Sequence, residues 1–127
     1  MPEITIVKKR ADFVRAAQSG FKKVTHNIVV QYLPHETAQE TSERKIRTGF
    51  TASRKTGNAV RRNRIKRRLR ALAREILPEF FAEDGVRGGD VILIGRYRAA
   101  EAPFGELRRD LRYALKKLAQ AAEVRDA

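Results

Sequence analysis

The sequence contains no cysteine and only two histidines, His26 and His35, in 127 residues. The lack of thiols excludes disulfide bridges, thiolate zinc sites and a cysteine nucleophile, and two histidines make an all-protein zinc site an unfavourable interpretation. No apolar run approaches the roughly 20 residues that span a bilayer, and the first ten residues lack the apolar centre of a secretory signal. We therefore expect a soluble cytoplasmic protein with a single domain over residues 1–127.

Acidic residues are absent from one long segment, and that segment carries the whole net charge. Lys and Arg number 28 against 15 Asp and Glu, for a formal net charge of +13. Residues 44–74 hold 13 of the basic residues and none of the acidic ones, so the rest of the chain is balanced. A neutral body with one cationic segment is typical of a polyanion-binding surface. The alternative, a solvated helix face without a partner, is disfavoured because so many like charges oppose folding.

Hydrophobic periodicity predicts helices and strands in the order α-β-β-β-α-β-α. The helices are predicted over 9–19, over 58–77 with Asn58 as a candidate N-cap and Pro78 as its end, and from Pro103 onward. The strands are predicted within 21–33, ended by Pro34, over 46–53 and over 90–97. The fold class is therefore α+β, a two-layer α/β sandwich with one four-stranded sheet packed with three helices. The polar composition of 34–45 predicts a flexible loop, and 120–127 is predicted to be a frayed tail.

The long central helix is predicted to have one apolar and one cationic side. Its apolar stripe, at helical spacing, consists of Ile65, Leu69, Leu72 and Ile76. Every charged residue of this helix before Glu75 is basic, and arginine outnumbers lysine. Guanidinium groups make paired hydrogen bonds to phosphate oxygens, and a rigid helix holds several of them at fixed spacing. The pattern indicates folded RNA or duplex DNA, whereas a membrane surface is disfavoured because the apolar stripe has a use inside the fold.

The stretch from Arg54 to Arg70, RKTGNAVRRNRIKRRLR, resembles the signature of the bacterial ribonuclease P protein component. The resemblance covers nearly the whole chain, because Phe13, Gly20 and the segments RTGFTASRK and DVILIGRY also match the family in order and length. It implies a ribosomal-protein-like fold with a left-handed βαβ crossover, against the usual right-handed rule. It also implies the protein subunit of a ribonucleoprotein endonuclease that removes the 5′ leader from precursor tRNA. In that family the RNA subunit performs the chemistry with bound magnesium, so no catalytic residue and no metal ligand is expected in this chain.

The resemblance further implies two RNA-binding surfaces. The first meets the catalytic RNA and is expected to use Arg54, Lys55, Asn58, Arg61, Arg62, Asn63, Arg64, Lys66, Arg67 and Arg70. The second is a cleft between the first helix and the sheet that receives the single-stranded leader, and it is expected to use Phe13, Gln31, Tyr32 and Lys55. The family often has a second phenylalanine where Ala17 stands and a tyrosine where Gln31 stands, so Phe21 or Tyr32 is an alternative stacking residue. The implied partners are the catalytic ribonuclease P RNA and precursor tRNA, with no membrane and no obligate protein partner.

Two other functions are compatible with the composition. A ribosomal or other structural RNA-binding protein has the same charge distribution, but the Arg62-Asn63-Arg64 signature separates it from ribonuclease P. A DNA-binding protein is less favoured because the sequence shows no recognition-helix geometry and no dimerisation zipper. An independent active site is not predicted, because Glu83 and Asp84 before Gly85 are typical of a solvated loop rather than a metal cluster.

Overall fold

Five strands form one mixed sheet in a computed structural model that describes residues 4–35, 45–83 and 86–126. The strands are β1 (Ile4–Ile6), β2 (Phe21–Val24), β3 (Ile28–Pro34), β4 (Ile46–Ala52) and β5 (Gly89–Gly95). The helices are α1 (Arg10–Ser19), α2 (Ala59–Phe81) and α3 (Phe104–Asp126), with short 3-10 helices at Arg54–Thr56 and Tyr97–Ala100. The strand order across the sheet is β1-β4-β5-β3-β2. The predicted class, α+β with one sheet and three helices, is confirmed.

The predicted strand count of four is wrong, because β1 adds a fifth strand. Its three residues pair in parallel with the start of β4, from Ile4 opposite Ile46 to Ile6 opposite Thr48. Three residues are too few for the alternation of apolar and polar side chains to stand out in the sequence. Only the pairing with β4 makes this segment a strand.

Two helices and one strand extend beyond their predicted ends. Pro78 does not end α2 but lies inside its last turn, and the helix continues to Phe81, which is 1% exposed in the core. The frayed tail predicted over 120–127 is helical as far as Asp126, and Ala122 is buried. Pro34, predicted to end β3, is its last residue, whereas most of the loop predicted over 34–45 lies outside the described residues. In both helices, burial of an apolar side chain outweighs the local signal to stop.

Two helices cover one face of the sheet, and one helix covers the other face. α2 and α3 pack on one face, where even-numbered β3 residues such as Val30 and odd-numbered β5 residues such as Leu93 belong to the main core. α1 packs on the other face, where a smaller cluster joins Ala16 of α1 to Ile92 of β5. Because side chains alternate along a strand, the α1 face presents the odd-numbered residues of β3 and β4.

The segment β4-α2-β5 is a βαβ unit between adjacent parallel strands. Ile46 lies opposite Gly89 and Ala52 opposite Gly95, in continuous register. At the end of β5, a Cβ atom on Gly95 would overlap Cγ2 of Ile65 in α2, so the helix lies directly against the strand. This unit holds the basic helix rigidly on the sheet, whereas the left hand of its crossover stays a prediction.

Candidate nucleic-acid interface

The local sequence around residue 58 places the start of α2. Asn58 is the N-cap, as predicted, and its side chain accepts a hydrogen bond from the backbone N–H of Arg61 at 2.9 Å. Gly57, just before it, has φ of 130°, a conformation that favours glycine. The predicted apolar stripe is confirmed, because all four of its residues are at most 2% exposed: Ile65, Leu69, Leu72 and Ile76. The remaining circumference of α2 therefore carries the charges.

Three arginines of α2 bind the protein itself rather than solvent. Arg62 Nε donates to the Ala52 carbonyl at 3.1 Å, at the end of β4. Arg68 donates to the carbonyls of Ala99 and Ala102, and burial together with the nearby charge of Arg64 lowers its pKa. Such arginines position α2 on the sheet and on the segment after β5.

Arg61 is the third of these residues, and its contacts differ from the RNA contact predicted for it. Its guanidinium donates to Glu101 Oε1 and to the Tyr97 carbonyl, both at 2.8 Å. A phosphate would have to displace Glu101 to bind there. Together with the Ala52 contact of Arg62 and the capping role of Asn58, this corrects three of the ten predicted RNA contacts to positioning residues.

The other predicted RNA-binding residues are available to a ligand. Six of them are exposed: Arg54, Lys55, Asn63, Arg64, Arg67 and Arg70. Lys66 is half-buried, and the Arg70 guanidinium carbon lies 5.9 Å from the centroid of the Phe50 ring. Within the described part of the chain, Arg64 and Arg67 make no ion pair with an acidic side chain. We call the surface formed by these seven residues the cationic surface of α2, and it includes Arg54 and Lys55 in the 3-10 helix just before α2.

On the opposite face of the sheet, Phe13 lies between α1 and β4, and its role in leader binding stays a prediction. Its half-buried ring lies over Gly49 in β4, where a Cβ atom would come within 2.6 Å of the ring. Gln31 shares this face, because it pairs with Ile92, which in turn pairs with Gly49. Lys55 is exposed beyond the end of the same strand, β4. The space between α1 and the sheet therefore has an aromatic side chain, an amide and a nearby cation.

Tyr32 is wrongly predicted as a leader-binding residue. It is 3% exposed in the main core, its hydroxyl donates to the Arg87 carbonyl at 2.5 Å, and its ring packs on Phe81. Phe21, the other alternative, packs against the same core. Both residues lie on the α2–α3 face because they are directly paired across β2 and β3. Neither can stack on a ligand beside Phe13.

The residues that form the floor of this space were not predicted from the sequence. Val24, Val29, Ile94 and Thr51 form one row across four strands, and each is at least partly exposed. Ile94 and Phe13 both pack against the small cluster of Val7, Ala16 and Ile92, so the row lies beside the part of the sheet that α1 covers. No sequence motif marks these residues, since their alignment depends on the register of three strand pairs. We call Phe13, Gln31 and this row the α1 cleft.

Comparison with known proteins identifies the family. Residues 1–119 match the ribonuclease P family profile. The ribonuclease P protein component of Ruegeria pomeroyi is 43% identical over 116 residues, which cover 91% of this chain and 86% of that protein. The chain belongs to the ribonuclease P family. The resemblance identified in the sequence is therefore confirmed.

Solved structures of the ribonuclease P family have the same fold. The Staphylococcus aureus RNase P protein superposes with a TM-score of 0.65 at 28% identity, covering 87% of this chain and 92% of that one. The Thermotoga maritima RNase P protein gives a TM-score of 0.62 at 25% identity, with 90% and 94% covered. The basic helix and the sheet therefore belong to a fold that this family shares.

In this member of the ribonuclease P family, an ion-pair network around the buried Asp90 joins α1 to the sheet. Arg47 of β4 makes two hydrogen bonds to the Asp90 carboxylate, at 2.8 and 2.7 Å, and Asp90 is 3% exposed. Asp12 of α1 lies 3.3 Å from Arg47 and 2.7 Å from Arg15. The hydrogen bonds and charge of Asp90 raise the pKa of Arg47, so Arg47 stays protonated. The network ties Asp12, the residue before Phe13, to the strand that carries Gly49.

The described residues offer this ribonuclease P protein no metal site of its own. Across residues 4–35, 45–83 and 86–126, no three His, Asp or Glu side chains come together as a ligand set. In the same ranges no helix is both long and apolar enough to cross a bilayer. The chemically distinctive surfaces of the described structure are the cationic surface of α2 and the α1 cleft.

Proposed function

We propose that this chain acts in a holoenzyme that removes the 5′ leader from precursor tRNA, with the catalytic ribonuclease P RNA as its direct partner. The cationic surface of α2 binds that RNA, and magnesium held by the RNA supplies the chemistry. This chain then contributes binding and charge neutralisation and no catalytic residue. The proposed compartment is the cytoplasm, and no obligate protein partner is needed.

The observation that carries the proposal is the set of unpaired cations on one rigid helix. Arg64 and Arg67 are exposed, carry no acidic partner in the described structure, and project from a helix whose other side is buried. Two RNA molecules repel each other, and fixed guanidinium groups at the contact reduce that repulsion. They also favour the folded RNA at magnesium concentrations too low for the RNA alone.

The α1 cleft suits a single-stranded leader. Single strands are bound through stacking of bases on aromatic rings, combined with cations that follow the backbone. Phe13 supplies the ring, the partly exposed row from Val24 to Thr51 supplies an apolar floor, and Arg54 and Lys55 are the exposed cations beyond β4. From Phe13 through the row to Arg54 and Lys55, these groups lie in order from the α1 cleft towards the start of α2. One RNA strand can therefore contact both the α1 cleft and the cationic surface of α2.

Reconstitution tests the proposal. The chain is mixed with its cognate catalytic RNA at low magnesium, and release of a labelled leader from precursor tRNA is followed. We expect stimulated cleavage at the leader junction with both components and no cleavage with the chain alone. A chain that binds the RNA without stimulating cleavage would instead support a structural RNA-binding protein. Cleavage by the chain alone would show that its own residues perform the reaction.

A further inference from the structure

An exposed tyrosine lies directly beside the cationic surface of α2. Tyr97 opens the 3-10 helix after β5 and is 61% exposed, whereas Ala99 and Ala100 in the same helix are buried. Single exposed large apolar side chains are ordinary in proteins, so the exposure of Tyr97 alone does not indicate a binding site. The neighbours of Tyr97 are what distinguish it.

Arg61 holds the ring of Tyr97 in one orientation. The guanidinium carbon of Arg61 lies 4.0 Å from the ring centroid, and Nη2 of the same group donates to the Tyr97 carbonyl at 2.8 Å. Glu101 accepts from Nη1 at 2.8 Å, and the hydrogen bond and charge of Arg61 lower the pKa of Glu101, so Glu101 stays ionised beside Arg61. One face of the ring is therefore covered by a fixed cation, and the exposed area belongs to the rest of the ring.

The charge around this ring favours a polyanion. Arg64 follows Arg61 by three residues on α2, which places both on one side of the helix, and Arg98 is exposed beside Tyr97 in the chain. The nearest acid, Glu101, is already paired with Arg61. An aromatic face next to unpaired guanidinium groups is the arrangement that binds an unpaired nucleobase, because the base stacks while its phosphates meet the cations.

We propose that Tyr97 is a stacking residue for an unpaired base of the catalytic RNA. This inference rests on the proposed function and extends the cationic surface of α2 onto the segment after β5. Arg61 acts as a positioning residue, since it orients the ring and has no free charge to offer. The fixed ring limits the entropy lost when a base stacks on it.

The test compares two substitutions at Tyr97 with a matched tyrosine elsewhere. Affinity for the catalytic RNA is measured at several salt concentrations for Tyr97→Leu, Tyr97→Phe and Tyr113→Leu. Tyr113 is 48% exposed on α3, and its ring is also flanked by cations, with the Nζ atoms of Lys23 and Lys117 at 5.6 and 5.8 Å from its centroid. We expect Tyr97→Leu to bind about tenfold more weakly at every salt concentration, with Tyr97→Phe and Tyr113→Leu close to the unchanged protein.

The salt dependence separates stacking from charge. Loss of a stacked base leaves the slope of log affinity against log salt unchanged, whereas loss of a phosphate contact reduces it. Nucleotide-resolution footprinting should show one unpaired RNA position that is protected by the unchanged protein and exposed in Tyr97→Leu. Wild-type affinity of Tyr97→Leu, an equal loss in Tyr113→Leu, or a reduced slope would each overturn the assignment. Failure of the unchanged chain to bind the RNA is a different result and contradicts the proposed function itself.

Discussion

At the scale of single residues, neighbouring arginines of one helix have different roles. Arg61 and Arg68 bind carbonyl and carboxylate oxygens of the segment after β5, whereas Arg64 and Arg67 are exposed without an acidic partner in the described structure. The first pair fastens α2 to the fold and the second pair is available to phosphates. A count of basic residues therefore overstates the number of RNA contacts that this segment can make.

Phe13 is the residue whose substitution separates leader binding from folding. Phe13→Leu keeps apolar volume over Gly49 but removes the aromatic face, so we expect about tenfold weaker binding of precursor tRNA. Mature tRNA has no leader, so its affinity should not change. The measurement is the dissociation constant of the reconstituted holoenzyme for the two tRNAs.

Phe21→Leu is the matched control for this prediction. Phe21 is also a partly buried aromatic residue next to α1 in the sequence, but it packs on the other face of the sheet. This substitution is expected to leave the preference for leader-bearing tRNA intact. If Phe13→Leu weakened both tRNAs equally, Phe13 would have a packing role only.

At the scale of elements, α2 is held by close approach to β5. Ile65 is fully buried against Gly95, at the end of the strand that is parallel to β4. The contact leaves no room for a side chain on β5, so the distance between helix and strand depends on glycine at this position. The placement of the cationic surface of α2 relative to the sheet therefore depends on that distance.

Gly95→Ala should therefore displace α2 and destabilise the protein. A new methyl group would overlap Cγ2 of Ile65, and overpacking of this kind lowers the free energy of unfolding by about 2 kcal/mol. The measurement is denaturant unfolding followed by circular dichroism. Affinity for the catalytic RNA should also fall, because Arg64 and Arg67 move with the helix.

Gly105→Ala controls for the general effect of replacing glycine. Gly105 lies in α3, and a Cβ atom there meets no other atom within 4 Å. Alanine is the better helix former, so this change should raise the free energy of unfolding by up to about 1 kcal/mol. Equal stability of Gly95→Ala and the unchanged protein would show that α2 does not depend on the contact with Gly95.

At the scale of the whole molecule, net charge is concentrated in one segment of an otherwise balanced chain. The 31 residues of the segment 44–74 contain no acid, and the outward side of α2 lies within this segment. Phosphate contacts release counterions, so each contact made by this surface contributes to the salt dependence of binding. Exposed cations elsewhere, such as Arg109 and Lys116 on α3, add to the net charge but lie outside this segment.

Two double substitutions with the same loss of charge test whether location or total charge determines binding. Arg64→Ala with Arg67→Ala should reduce the slope of log affinity against log salt by about 2, one unit for each lost phosphate contact. Arg109→Ala with Lys116→Ala removes as much charge from α3 and should leave the slope nearly unchanged. The same reduction in both proteins would mean that the RNA responds only to total charge.

Much of the site could be predicted from the sequence. The wrong predictions share one cause, because they concern contacts between residues that are far apart in the chain. The stripe from Ile65 to Ile76 and the N-cap Asn58 depend on neighbours within a few turns, so both predictions are confirmed. The contact of Arg61 with Glu101 joins residues 40 positions apart, so no local sequence pattern predicts it. Gln31 and Tyr32 must point to opposite faces, but the helix that covers each face is known only from the packing.

Periodicity and charge placed the basic helix, its buried side and the class of ligand, because each depends on residues close together in the chain. Packing alone decided that β1 joins the sheet, that Tyr32 is core, and that Phe13 lies over Gly49. It also put Tyr97 beside Arg61. These features arise from contacts between distant segments, whose free energy depends on the whole arrangement of helices and strands.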